Sequence, residues 1–158
     1  MQNIVDKVVN LLIKNNLSIT TAESCTGGLI ASSIVSVSNA SKVFSEAYVT
    51  YANSSKIKLL GVNKESIEKY GVVSEVVTKE MAIGAAKNSN ADVSLVSSGI
   101  AGPTGGSLNK PVGTVCFGIF FKGKIYTYTE KFGNLGRNIV REKSKDFIIN
   151  KLYDILTN

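Results

Sequence analysis

Residues 18–37 read Ser-Ile-Thr-Thr-Ala-Glu-Ser-Cys-Thr-Gly-Gly-Leu-Ile-Ala-Ser-Ser-Ile-Val-Ser-Val, and within this stretch the hydrophobic period changes. Ser18 to Thr21 carries a short strand pattern, whereas Leu29 to Val37 is an apolar run at helical spacing. Thr26 is available as the N-cap of that helix, and Ser38 and Asn39 are available to end it. Glu23 to Gly28 is therefore predicted to be a strand-to-helix turn.

The same alternation extends in both directions. Ile4, Val5, Val8, Val9, Leu11 and Leu12 predict a helix over residues 2–15. Val43 to Tyr51 reads as a strand, Asn53 as the cap of a short helix Ser54 to Leu60, and Gly61 as its left-handed stop. Asn63 and Gly71 bracket another short helix, and Ser74 caps a longer one running to about Lys87. Val93 to Ser98 is a buried-strand candidate ending in a glycine-rich loop, Gly99 to Gly106. Val112 to Phe121 and Lys124 to Lys131 flank Lys122 and Gly123 as a hairpin. A last helix covers about Arg137 to Leu156. Early alternation followed by adjacent strands predicts an α/β fold, a mixed sheet with helices on both faces.

Length and composition fit one domain over 1–158, since 158 residues at 44% apolar content can build a single core. No stretch approaches the roughly 18 apolar residues that span a bilayer, and the first helix lacks the pattern of an export signal. With only Cys25 and Cys116, two reduced thiols and a cytoplasmic location are expected. The formal charge of +6 admits nucleic acid, an acidic membrane surface or a phosphorylated metabolite as partner. Lysines scattered in pairs such as Lys56 with Lys58 and Lys122 with Lys124 lack the basic run and interleaved aromatics of a nucleic-acid groove. Neither a specific nucleic acid nor a membrane is therefore expected as partner.

The chain contains no histidine. A Ser-His-Asp triad, a Cys-His pair and an imidazole-based zinc site are excluded, so any general base comes from Lys, Tyr, Asp, Glu or water. No residue cluster suggests a metal, and no cofactor is expected.

Four segments carry candidate chemistry. Ser24 lies on the turn whose helix start offers unpaired N–H groups and a favourable dipole for negative charge. An attacking alkoxide or an oxyanion would gain there, although Ser24 and Thr26 also suit plain helix capping. Cys25 competes as nucleophile, because a thiol at a helix N-terminus has a lowered pKa; a small buried cysteine is the alternative. Lys56, in Tyr51-Ala-Asn-Ser-Ser-Lys56, is the candidate base if partly desolvated, and an ordinary surface lysine otherwise. The loop Gly99-Ile-Ala-Gly-Pro-Thr-Gly-Gly106 sits at the carboxyl end of a strand, where open α/β sheets bind ligands, yet lacks Walker A and dinucleotide spacing. Arg137 and Arg141 share a helical face and suit either an anion or a surface pair.

Taken in order, Thr-Ala-Glu-Ser-Cys-Thr-Gly-Gly at 21–28, Tyr-x-Asn-x-x-Lys at 51–56, Gly-Val-Val-Ser-Glu at 71–75, Gly-Ile-Ala-Gly-Pro-Thr-Gly-Gly at 99–106 and Lys-Pro-Val-Gly-Thr-Val at 110–115 resemble the CinA C-terminal domain family. That family's standalone members include nicotinamide-nucleotide amidohydrolases. The resemblance implies a three-layer α/β/α sandwich and conversion of nicotinamide mononucleotide, a small-molecule nucleotide, to nicotinic acid mononucleotide and ammonia. It implies Ser24 as nucleophile with Lys56 and Tyr51 as activating partners. N–H groups near Cys25, Thr26, Gly27 and Gly28 would then hold the oxyanion. Gly99, Ala101, Gly102, Thr104, Gly105 and Gly106, with Arg137 and Arg141, would bind ribose and phosphate. A homo-oligomer is compatible with an isolated domain of this family. Two departures stand out: Glu46 and Ala47 replace a usual glycine pair, and Leu135-Gly136-Arg137 replaces Gly-Asp-Arg.

Overall fold

The computed structural model describes residues 2–158; Met1 lies outside the described residues. Twelve elements follow the chain: α1 (Ile4–Lys14), β1 (Ile19–Glu23), α2 (Leu29–Val35), a 3-10 turn (Ala40–Lys42), β2 (Tyr48–Val49), α3 (Asn53–Leu60), α4 (Lys64–Tyr70), α5 (Glu75–Ser89), β3 (Val93–Gly99), β4 (Thr114–Phe121), β5 (Lys124–Lys131) and α6 (Arg137–Thr157). The five strands form one sheet in the order β2-β1-β3-β4-β5. β2, β1 and β3 are parallel, and β4 and β5 join antiparallel, so the sheet is mixed.

Two apolar layers enclose the sheet. On one face α1, α2 and α6 bury Val8, Leu12, Ile30, Ile34, Ile148 and Leu152 against Ile19, Leu95 and Phe117. On the other, Leu60 of α3 and Val77, Met81 and Ala85 of α5 close over Ala22 and Val96. The result is a three-layer α/β/α sandwich. β1 and β3 are buried at almost every position, because central strands face helices on both sides. β5 is the half-exposed edge.

Several boundaries follow their predicted chemistry. Gly61 ends α3 at φ +68°, and Ser74 caps α5 by accepting from the Val77 N–H. Lys122 and Gly123 both take positive φ, as a type I′ hairpin turn requires. Other boundaries differ. The strand predicted over Val43 to Tyr51 reduces to Tyr48–Val49, with one further bridge from Phe44 to Ile19. Between them the Glu46 carbonyl is taken by the Thr20 hydroxyl instead of a ladder N–H. Asn53 begins α3 itself, and Ala52 occupies the cap position without a side-chain bond. β4 starts at Thr114, two residues later than expected, because Gly113 donates to the Ile100 carbonyl in the preceding loop.

The site depends on how closely α3 approaches α5. A Cβ on Gly84 of α5 would collide with the carbonyl of Leu60, the last residue of α3. Ala is favoured over Gly by about 1 kcal/mol in an unconstrained helix. Gly84→Ala is nevertheless expected to lower stability by about 1–3 kcal/mol, as overpacking does, in a urea unfolding curve.

Candidate active site

β1 delivers its last residue, Glu23, into the interior with no exposure. The carboxylate accepts five hydrogen bonds: from the hydroxyls of Thr21 (3.0 Å) and Thr26 (2.7 Å), and from the N–H groups of Gly28 (3.2 Å), Ile30 (2.9 Å) and Ala31 (2.9 Å). Gly28 is the N-cap residue of α2 and Ile30 and Ala31 lie in its first turn, so Glu23 caps the helix from the preceding strand. Thr26, the predicted cap, spends its hydroxyl on Glu23, and the N-cap position belongs to Gly28 in a left-handed conformation. Negative charge at a helix N-terminus is electrostatically favoured, and no lysine or arginine is needed to balance it.

The turn between strand and cap carries Ser24. Its N–H donates to Ser97 of β3 at 3.0 Å, extending the β1–β3 ladder by one residue, and the side chain is nearly buried. The Gly27 and Gly28 N–H groups are consumed by the Ser24 carbonyl and Glu23. Among the described residues, the N–H groups of Cys25 and Thr26 donate to no other residue.

Lys56 reaches the turn from α3 and is 1% exposed. Its Nζ lies 3.1 Å from Ser24 Oγ, 2.7 Å from the Thr50 carbonyl and 3.2 Å from the Tyr51 carbonyl. Ion pairs among the described residues involve other lysines only, so no carboxylate holds Lys56 charged. Burial lowers its pKa from the ordinary lysine range to about 8. A neutral amine has two N–H donors and one lone pair. Two carbonyls can only accept, so they take both donors, and the lone pair falls to the Ser24 hydroxyl.

Cys25 points into the protein. Burial pushes its thiol up to about 11, against the helix-terminus effect expected from sequence. The single hydrogen of the Thr26 hydroxyl goes to Glu23, so Ser97, 2.6 Å from Thr26, donates to it. Cys25 itself is buried and its thiol protonated, so it is not presented as a nucleophile.

Tyr51 contributes differently from expectation. Its carbonyl holds Lys56, while its largely exposed phenol accepts from Arg137 Nη2 at 3.0 Å, so the ring hydroxyl bonds neither Ser24 nor Lys56. Arg137 also donates to the Gly102 carbonyl at 3.0 Å, which ties the start of α6 to the glycine-rich loop. Arg141 donates to the carbonyls of Cys25 (2.9 Å) and Thr26 (3.2 Å) and clamps the Ser24 turn from outside. Neither guanidinium forms an ion pair among the described residues.

The glycine-rich loop is only partly drawn in. Ala101 and Gly102 are buried beside Arg137, whereas Thr104, Gly105 and Gly106 are exposed and no hydrogen bond joins them to the turn. Gly99 and Gly106 have packing reasons of their own, since a Cβ would meet the Val115 side chain at 2.6 Å or the Val112 N at 2.9 Å. Sequence reasoning missed Glu23, Ser97 and the acceptor role of Thr50. Glu23 carried a signal: an acidic residue just ahead of a helix start suits capping. Ser97 is joined to the turn only by strand pairing.

The CinA C-terminal domain family is matched over residues 1–156. The chain belongs to the CinA C-terminal domain family. A CinA-like protein of Kosmotoga olearia is 47% identical over 148 residues, covering 94% of this chain and 36% of that protein. A Clostridium beijerinckii protein named for competence-damage induction is 54% identical over 123 residues, covering 78% and 30%. The chain therefore spans about a third of the length of these curated relatives. The crystal structure of a competence-damaged protein (CinA) superfamily protein from Escherichia coli superposes with a TM-score of 0.93 at 37% identity, over 97% of this chain and 88% of that one. One from Klebsiella pneumoniae gives 0.94 at 31% identity, over 99% of each. No helix of the described CinA domain is long and apolar enough to cross a membrane.

Glu23→Gln keeps the shape but turns one acceptor oxygen into a donor facing hydroxyls and N–H groups. A loss of about 2 kcal/mol is expected, the scale for hydrogen bonds to a charged group, with α2 amides losing hydrogen-exchange protection before those of α5.

Proposed function

We propose that this CinA domain hydrolyses the carboxamide of nicotinamide mononucleotide to nicotinic acid mononucleotide and ammonia, using Ser24 as nucleophile and Lys56 as its base. The observation that carries the reading is the approach of a buried amine, without an acidic partner, to 3.1 Å from a serine hydroxyl on a strand-to-helix turn. Serine needs an adjacent base to attack an amide, and the chain has no histidine to supply one.

The steps follow from this arrangement. Ser24 Oγ attacks the amide carbon as its proton passes to Lys56, and the N–H groups of Cys25 and Thr26 receive the oxyanion. Lys56 then protonates the departing nitrogen and releases ammonia. Water enters, gives a proton to Lys56 and displaces Ser24, yielding the carboxylate. The ribose phosphate is assigned to Arg137 and the exposed Thr104–Gly106 backbone at the mouth. Arg141 faces the same side, but its bonds to the turn make it chiefly a brace. The substrate itself rests on the family resemblance, and the positive, unpaired guanidinium groups favour a phosphorylated one.

Ser24→Ala is expected to abolish nicotinic acid mononucleotide formation, followed by mass-resolved product analysis, while Cys25→Ser keeps at least about a tenth of the activity, since serine is close to the buried thiol in size and the thiol takes no part in the steps above. Tight nucleotide binding by wild-type protein with no product would instead favour a non-catalytic nucleotide-binding or regulatory module.

The pH dependence has a definite sign. Lys56 acts as base only when neutral, so kcat/KM is expected to rise with pH and level off above about 8. The same shift acts on folding: the unfolded lysine binds its proton up to the ordinary value of 10.5, the folded one only up to about 8. Lys56 therefore makes stability rise with pH between those values. Lys56→Met is expected to remove this rise in urea unfolding and to abolish the activity limb.

A further inference from the structure

Thr50 is fully buried, and its Oγ1 is the one buried side-chain polar atom among the described residues with no hydrogen-bond partner. Its main chain is fully used. The N–H donates to the Glu23 carbonyl at 3.0 Å, and the carbonyl accepts from Lys56 at 2.7 Å. An orphaned hydroxyl bears its full desolvation cost. Valine has almost the same shape and would avoid it, so core filling alone gives no reason for threonine here.

Strand geometry places this hydroxyl. Ala22 pairs with Tyr48 and Glu23 with Val49. Tyr48 packs on the α5 side and bonds Ser89 there, whereas Val49 lies against Gly28 on the α2 side. The ladder continues through the Thr50 N–H, so alternation returns Thr50 to the face from which α3 sends Lys56. Ser24 Oγ is reached by Lys56 from that same face.

We propose that Thr50 Oγ1, together with Lys56 Nζ, binds the small molecule that exchanges at the acyl-enzyme: ammonia as it leaves and the hydrolytic water as it enters. This rests on the serine hydrolase reading. In the first half, the Ser24 Oγ–C bond forms and the C–N bond breaks; the Ser24 proton passes through Lys56 to nitrogen, and ammonia departs. In the second half, water occupies the position nitrogen vacated. One water proton goes to Lys56, the oxygen bonds the acyl carbon, the C–Oγ bond breaks, and Lys56 returns the proton to Ser24. Thr50 can accept from ammonia or water and can donate to water, which suits both halves. Lys56 offers that molecule one position only, because its other contacts are the Thr50 and Tyr51 carbonyls, and the second anchor falls to Thr50.

The test uses p-nitrophenyl acetate, whose leaving group needs no ammonia site. Intact-mass spectrometry follows acetylation of Ser24 and its decay in wild type, Thr50→Val, Thr50→Ser and Ser24→Ala, beside thermal melting of each. Thr50→Val is expected to melt no lower than wild type, to acetylate at a similar rate and to lose the acetyl group about tenfold more slowly, the scale of one hydrogen bond at a reacting atom. Thr50→Ser should restore deacylation. Wild-type deacylation in Thr50→Val overturns this proposal alone, as does parallel loss of melting temperature and both rates in Thr50→Val and Thr50→Ser. Absence of any Ser24-dependent adduct overturns the nucleophile assignment and this proposal with it.

Discussion

The carboxylate of Glu23 sits where three structural demands meet. It ends the central strand, caps α2 through three N–H groups, and gathers the hydroxyls of Thr21 and Thr26. The residues of the Ser24 turn are thereby held between fixed points, since Thr26 and Gly28 bond Glu23 directly, Ser24 bonds Ser97, and Arg141 holds the Cys25 carbonyl. A buried charge is tolerated only when its acceptor sites are filled. Filling them with helix donors makes a buried charge into the brace of the Ser24 turn.

Lys56 shows the complementary design. A carboxylate beside it would hold it charged and unavailable as a base. Carbonyls of Thr50 and Tyr51 instead satisfy its hydrogens without opposing loss of the proton, and α3 keeps water away. The position follows from the topology. β1 lies between β2 and β3 and runs parallel to both, so the carboxyl ends of all three strands come together, at the end of the sheet where doubly wound folds bind ligands.

Much of this was legible in the sequence, and the failures have physical causes. The turn at Glu23 to Gly28 is readable because the hydrophobic period changes there, and Gly61 and Ser74 act locally, as their residue types do. Absence of histidine narrows the base to Lys, Tyr, Asp, Glu or water, the family resemblance singles out Lys56, and the structure joins it to Ser24 across 32 positions. Thr26 was misread as a cap because its competitor, Glu23, reaches the helix from the strand side. Of the two readings of Cys25, the buried cysteine holds and the lowered thiol does not, because helix-end electrostatics are local whereas burial is tertiary. The phenol of Tyr51 meets Arg137 of α6, a partner that no local pattern could indicate. Thr50 was invisible for the same reason: an orphaned hydroxyl is defined by everything packed around it.

The direct test is the protonation of Lys56 in the folded protein, followed by NMR of a 13C-labelled lysine side chain, with Lys56→Met identifying the resonance. Titration near pH 8 is the expected result, with the midpoint moving when Ser24 is replaced by alanine. A midpoint in the ordinary lysine range would contradict it, since a permanently charged Lys56 could not take the proton from Ser24.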